Sequence, residues 1–307
     1  MCSGRHGAGY HYRTNLIRKV SQPREFHLDI GEVELAVHEW PGTGDPVLLL
    51  HATGFHSRCW NQVVAQLPGR HVFAVDLRYH GKSGSLGDVD WNVLAEDIVT
   101  LVERLDLRRI VGAGHSVGGY LVARAAAAHP ERFRHLVLID PVVVAPEDYD
   151  MARELAANIA ATDHPVARRK NRWQDANEMF ERFRDREPFN SWQPEVLRDY
   201  CDYALKPANE DGYRELACDP INEASVYISQ AMSAAVHEDI PRIATPTTLL
   251  RARYTGLSIT DLSASPTWPG LAEAIADCSE HYYPELNHFI PMQDPGLVAR
   301  HIREALL

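Results

Sequence analysis

The sequence has no run of about 18 uninterrupted apolar residues, so it offers no candidate transmembrane helix. Nor does the segment MCSGRHGAGYHYRTNLIRKV at residues 1–20 hold the apolar core that a signal peptide needs. Cysteine is scarce: Cys2, Cys59, Cys201, Cys218 and Cys278 are scattered, odd in number and without a C-x-x-C pair, which argues against a disulfide framework. H-E-x-x-H is missing, as is any cluster of Asp, Glu and His with ligand spacing, so no metal is expected. Positive charge is in deficit. Lysine plus arginine total 31 against 42 aspartate plus glutamate, and the net charge of −11 repels phosphate backbones and anionic lipid surfaces. These absences predict an unexported, cytoplasmic protein with no nucleic acid and no membrane as partner.

What is present is ample apolar material: 45% of the 307 residues are hydrophobic, enough for a large core with a sizeable insertion. Residues 1–23 are polar, end at Pro23 and are expected to form a flexible N-terminal arm. From Phe26, an alternating pattern on either side of Gly31 predicts two half-buried strands joined by a tight turn. Short continuous apolar runs follow at Val47–Leu50, Val72–Val75, Ile110–Ala113 and Leu136–Ile139, which suit strands covered on both faces. Helical spacing fills the gaps, at Trp91–Leu105 and at Val117–Ala128, the latter stopped before Pro130. The alternation implies an α/β fold with a doubly wound, mostly parallel sheet. Residues 145–239 break the rhythm and read as helices rich in Arg, Glu and Trp without a strand pattern, an inserted α-helical cap. The core is then 24–144 and 240–307.

Gly114-His115-Ser116-Val117-Gly118-Gly119 lies directly after the predicted strand Ile110–Ala113 and opens a helix. This G-x-S-x-G in a strand-to-helix context forces its serine into a strained backbone conformation, and the small residues around it prevent steric clash. The turn lifts the Ser116 hydroxyl into a cleft. The Val117 N–H, at the helix start, can face a developing oxyanion. A dinucleotide site does not fit, because Gly112-x-Gly114-x-x-x-Gly118 lacks the G-x-G-x-x-G spacing. No cofactor is expected.

With His51-Ala52-Thr53-Gly54, Asp76-Leu77-Arg78-Tyr79-His80-Gly81-Lys82-Ser83, the Ser116 motif and Asn287-His288-Phe289 in this order, the chain resembles the α/β-hydrolase superfamily over about residues 26–306. The resemblance implies an eight-stranded sheet and places the second oxyanion N–H on Thr53, although Ala52 stands where the family has glycine. It also marks Asp76–Ser83 as a structural turn in which Tyr79 replaces a glycine. His51 reads as a buried histidine bonded to backbone.

A serine hydroxyl needs a neighbouring base, and His288 sits where the family's catalytic histidine does. A carboxylate must accept from the far imidazole N–H. Most relatives carry it just after the strand read here at Thr247–Arg251, where this chain has no acid. Asp140, at the end of the strand after the elbow helix, and Asp261, if Tyr254–Thr260 forms an extra loop, both remain. Asp140 is favoured because it needs no insertion to reach the carboxyl end of a strand. The resemblance therefore implies a serine hydrolase acting on a carboxylic ester or lactone. Carbon–carbon bond hydrolase, lyase or perhydrolase chemistry and a non-catalytic ligand sensor are the rivals. The partner is a small molecule, and a homodimer is possible. Of the cap aromatics Trp173, Phe180, Phe183, Phe189, Trp192, Tyr200, Tyr203 and Tyr227, most are expected in the cap's own core, and Arg168–Arg172 is expected to be a solvated helix face.

Overall fold

The computed structural model describes residues 21–255 and 261–307, with the side chain of Leu155 outside the description. The polar arm expected over 1–23 therefore lies outside the described residues except for Ser21–Pro23. Ser21 is held there, its carbonyl accepting from Trp40 Nε1 at 2.7 Å.

Eight strands build one sheet: β1 (Arg24–Asp29), β2 (Glu34–Trp40), β3 (Thr43–Leu50), β4 (Arg70–Val75), β5 (Ile110–His115), β6 (Phe133–Ile139), β7 (Thr247–Ala252) and β8 (Cys278–Tyr283). Their spatial order is β1-β2-β4-β3-β5-β6-β7-β8. The hairpin β1–β2 and the β2–β4 pair are antiparallel, and every other neighbouring pair is parallel. Strand-period alternation sends Leu48 and Leu50 of β3 into the apolar layer on one face and Val47 and Leu49 into the layer on the other. Both faces are covered, as the continuous apolar runs predict. The two edge strands are the exceptions, β1 with no buried residue and β8 with its central residues exposed.

Helix α1 (Trp91–Arg104) starts where Asp90 Oδ1 accepts from Asn92 N, and it buries Leu94, Ile98, Leu101 and Val102 at helical spacing. Helix α2 (Val117–Ala128) is buried along nearly its whole length, which its small alanines permit. Between β6 and β7 the chain forms α3 (Asp148–Ala156), α4 (Ala176–Phe183), α5 (Pro194–Tyr203) and α6 (Pro220–Ser229), joined by short 3-10 turns. Helix α7 (Pro295–Ala305) closes the chain, capped by Asp294.

The helical segment departs from expectation in two ways. It contains a two-residue strand pair, Arg172–Trp173 with Arg214–Glu215, too short to show a period in sequence. And Arg168–Arg172, whose Arg168, Lys170 and Arg172 are exposed as expected, forms no α-helix, and Arg169 turns inward, its Nη1 donating to Glu223 Oε2 at 2.6 Å and its Nη2 to Tyr200 Oη at 2.8 Å. A buried carboxylate 54 positions away in sequence overrides the local charge pattern. The aromatics behave as expected. Trp173, Phe183, Phe189, Trp192 and Tyr200 pack with Phe55 and Phe289 of the sheet's loops into a cluster of their own. Among the described residues, no helix is long and apolar enough to cross a membrane.

Candidate active site

Loops at the carboxyl ends of β3, β5, β6 and β7, together with the loop between β8 and α7, converge on one spot, as expected for a doubly wound sheet. The turn after β5 is fixed by close backbone approach. A Cβ at Gly114 would collide with the Gly118 carbonyl, and one at Gly118 with the Leu50 carbonyl. Ser116 itself has φ 59° and ψ −122°, a strained conformation for a residue with a side chain. The tight bend leaves its hydroxyl facing a cavity that His288 also lines.

Ser116 Oγ donates to His288 Nε2 at 3.0 Å, and His288 Nδ1 donates to Asp140 Oδ2 at 2.7 Å. The second bond puts the imidazole proton on Nδ1 and leaves Nε2 free to accept, so the relay can move a proton from Oγ to Nε2. Asp140 is fully buried. Its Oδ1 accepts from Ala252 N at 2.9 Å, from Ser265 Oγ at 2.7 Å and, at 3.3 Å, from Thr267 Oγ1. These donors stabilise the carboxylate in place of solvent. Its φ of 43° is left-handed, a region that aspartate tolerates better than most residues. The β7–β8 loop thus contributes hydroxyls to an acid borne by β6. Nothing in sequence pointed to Ser265 or Thr267.

Asp261 stands elsewhere. It is exposed at the cavity's edge, and its Oδ1 accepts from Ser263 N at 2.9 Å and Ser263 Oγ at 2.6 Å. Those bonds, the hydroxyl's foremost, hold its carboxyl below the usual range. Part of the extra loop envisaged over Tyr254–Thr260 lies outside the described residues. His288 is placed from behind: its N–H donates to Ser263 O at 2.9 Å, and its carbonyl accepts from His115 Nε2 at 2.7 Å. Burial holds His115 well below the ordinary imidazole value, so this variable residue of the G-x-S-x-G motif is a neutral strut.

The loop after β3 carries Thr53, which lines the same cavity. Among the described residues, none accepts from the Thr53 N–H, and none from the Val117 N–H at the first turn of α2, so both are available to an anion. Ala52 in place of glycine causes no strain, because the left-handed residue of this turn is Gly54, with φ +79°. Two histidines fasten the loop. His80 Nε2 accepts from Gly54 N at 2.9 Å while its Nδ1 donates to Arg78 O, and His51 Nε2 accepts from Leu77 N at 3.0 Å while its Nδ1 donates to Ala52 O. Both must be neutral to accept. Burial pushes His80 down to about 4 and His51 to about 3. Behind them, Asp76 accepts from Ser57 N at 2.7 Å and Lys82 N at 2.9 Å. Tyr79, at the family's glycine position, is held at φ 70° and buried, its hydroxyl 2.9 Å from Gly87 O.

The cavity has a volume of about 310 Å³. Its walls come both from the sheet's loops and from the helical segment, which contributes Tyr149, Ala156, Ile159, Tyr227, Ile228 and Ala231 among others. Of the aromatics singled out in that segment, Tyr227 is the one that reaches it among the described residues. Among these residues no group of three or more metal-binding side chains gathers anywhere.

Comparison with known proteins gives a consistent picture. The model of the alpha/beta hydrolase family matches residues 47–301. Lipase LipV of Mycobacterium tuberculosis is 32% identical over 136 residues, 43% of this chain and 51% of that protein. A serine hydrolase-like protein of Danio rerio is 29% identical over 192 residues, 60% of this chain and 58% of that protein. The chain thus spans about half the length of the curated relatives it matches. Among solved structures, E-2-(acetamidomethylene)succinate hydrolase superposes with a TM-score of 0.72 at 22% identity, covering 92% of this chain and 99% of that one. A thermophilic esterase from Thermogutta terrifontis gives 0.64 at 24% identity, covering 92% and 98%. At these identities the structural likeness concerns the fold.

Proposed function

The chain belongs to the alpha/beta hydrolase family, and we propose that it acts there as a serine hydrolase cleaving a carboxylic ester or lactone through an acyl-enzyme. Ser116 is the nucleophile, His288 the base, and Asp140 the acid that orients and stabilises it. Val117 and Thr53 donate their N–H groups to the oxyanion, and residues 145–239 form a cap over the site. The observation that carries the reading is the Asp140–His288–Ser116 relay, at 2.7 and 3.0 Å, opening onto a cavity.

In the first half-reaction Ser116 Oγ attacks the carbonyl carbon while His288 Nε2 takes its proton, and the carbonyl oxygen becomes an oxyanion between the two N–H groups. The imidazolium is stabilised by Asp140, whose remaining oxygen is already occupied by Ala252, Ser265 and Thr267. Collapse breaks the bond to the alcohol oxygen, which leaves with the proton from Nε2. In the second half-reaction water gives a proton to Nε2 as it attacks the acyl-enzyme, and Ser116 recovers its proton as the carboxylic acid departs. Among relatives, the likeness to lipase LipV supports ester chemistry here.

A panel of 4-nitrophenyl esters and lactones run on wild type and Ser116→Ala tests the proposal. Turnover on at least one class, reduced ~10⁵-fold or more in the variant, is expected. Hydrolysis by Ser116→Ala within tenfold of wild type overturns it.

A further inference from the structure

If Ser116 attacks an ester, the acyl portion is the part that stays bonded to it between the two half-reactions, and the cavity beyond Ser116 must house it. The volume of about 310 Å³ sits at the small end of the ~300–1,000 Å³ range of ligand pockets. Its lining is dominated by apolar groups, with Val142 and Val144 from the loop after β6 and Ile159, Pro165 and Ile228 from the helical segment. Space is made by small side chains. Ala152 and Ala156, one turn apart on α3, line it together.

Charge in the lining has one sign. Asp163 of the helical segment and Asp261 of the β7–β8 loop are both exposed and both line the cavity. Among the described lining residues there is no lysine or arginine. Of the nearby cations, Arg169 is committed to Glu223 and Tyr200 and Arg153 to Asp150, while Arg168, which does not line the cavity, donates from Nη2 to the Asp163 carbonyl at 2.9 Å. His164 also lines the cavity, with its Nδ1 accepting from Val166 N at 3.3 Å and its ring stacked on Tyr227, and burial pushes it below the ordinary imidazole value. It supplies no countercharge at neutral pH.

We propose, building on the ester-hydrolase reading, that the cavity takes a neutral, medium-length apolar acyl group and rejects acyl groups that end in a carboxylate. An entering carboxylate would leave water, meet no lysine or arginine among the described lining residues and face two carboxylates, whereas an alkyl chain gains burial against the valines, isoleucines and alanines.

The direct test compares kcat/KM for 4-nitrophenyl heptanoate and the near-isosteric 4-nitrophenyl hydrogen adipate on the wild-type protein at pH 7.5. The hydrogen adipate is expected to be ~100-fold poorer, and the Asp163→Asn/Asp261→Asn double variant should narrow the gap ~3–10-fold. Ala156→Phe should lower the heptanoate-to-acetate ratio of kcat/KM at least tenfold, with Ala152→Phe as the substitute if that variant does not fold. A gap under tenfold between the two wild-type substrates overturns the inference, as does an unchanged chain-length ratio in both phenylalanine variants. Labelling of Ser116 by a fluorophosphonate, run in parallel, separates the two levels. Labelling with hydrogen adipate well hydrolysed removes the acyl-selectivity inference alone, and absent labelling removes the hydrolase reading beneath it.

Discussion

The carboxyl end of the sheet and the helical segment above it meet at one cavity but are held in different ways. At the sheet end the backbone dictates position. Glycines touch carbonyls at Gly114 and Gly118, buried Asp140 collects donors from Ala252, Ser265 and Thr267, and neutral histidines tie the Thr53 loop to the next turn. The helical segment is held by side chains, through the Arg169–Glu223–Tyr200 contacts and an aromatic cluster around Phe55. On the proposed reading, bond-making chemistry sits where geometry is over-determined, and the walls that would select a substrate sit where side chains can be exchanged without moving the backbone.

Asp140, buried behind His288, and Asp261, exposed where it lines the cavity, sharpen that contrast most. Asp140→Asn should lower kcat ~10⁴-fold, since an amide cannot hold the imidazole in the required tautomer or stabilise its cation. Asp261→Asn, at the rim, should change kcat for a neutral ester less than ~3-fold. Equal losses in steady-state assays would erase the distinction between the two positions.

A smaller effect is expected at the junction of the two regions. Gly54 has φ +79°, and a Cβ there would collide with the Glu223 side chain. Gly54→Ala should therefore displace the Thr53 N–H and cost ~10²-fold in kcat, the scale of one lost oxyanion donor, with KM little altered. A change confined to KM would contradict the placement of Thr53.

Acid should weaken the sheet end first. His51, His56 and His80 are buried and neutral, with values lowered to about 3, about 4 and about 4, chiefly by burial, and His115 is lowered in the same direction. Their unfolded value is about 6.5, so below that pH the unfolded chain binds more protons than the folded one. The stability is fully present above about pH 6.5 and is lost as pH falls toward about 4, by up to ~1.4 kcal/mol per pH unit for each histidine. The melting temperature should drop between pH 7.5 and 5, and a flat profile would show that these histidines are already protonated in the fold.

Much of the sheet end is legible in sequence because its constraints are local. The elbow glycines and the apolar strands follow from short patterns, and the position of His288 from the resemblance to the family. Asp140 was readable as the end of a strand, but its stabilising hydroxyls lie 125 and 127 positions further on. His115 was invisible for a related reason, since a variable motif position shows no sign that its ring will hold a carbonyl 173 positions away. Arg169 reads as solvated because its partner Glu223 lies 54 positions away, beyond any local pattern. Tyr79 occupies a left-handed position that favours glycine, held there by burial and by hydroxyl contacts to the loop at Gly87.

Intact-mass analysis and peptide mapping after fluorophosphonate treatment put the central claim to the most direct test. One adduct per chain on Ser116 is predicted for wild type, no adduct for Ser116→Ala, and labelling slowed by orders of magnitude for His288→Ala. An adduct of equal yield in Ser116→Ala, or one mapped to another residue in wild type, would contradict the assignment of Ser116 as the activated nucleophile.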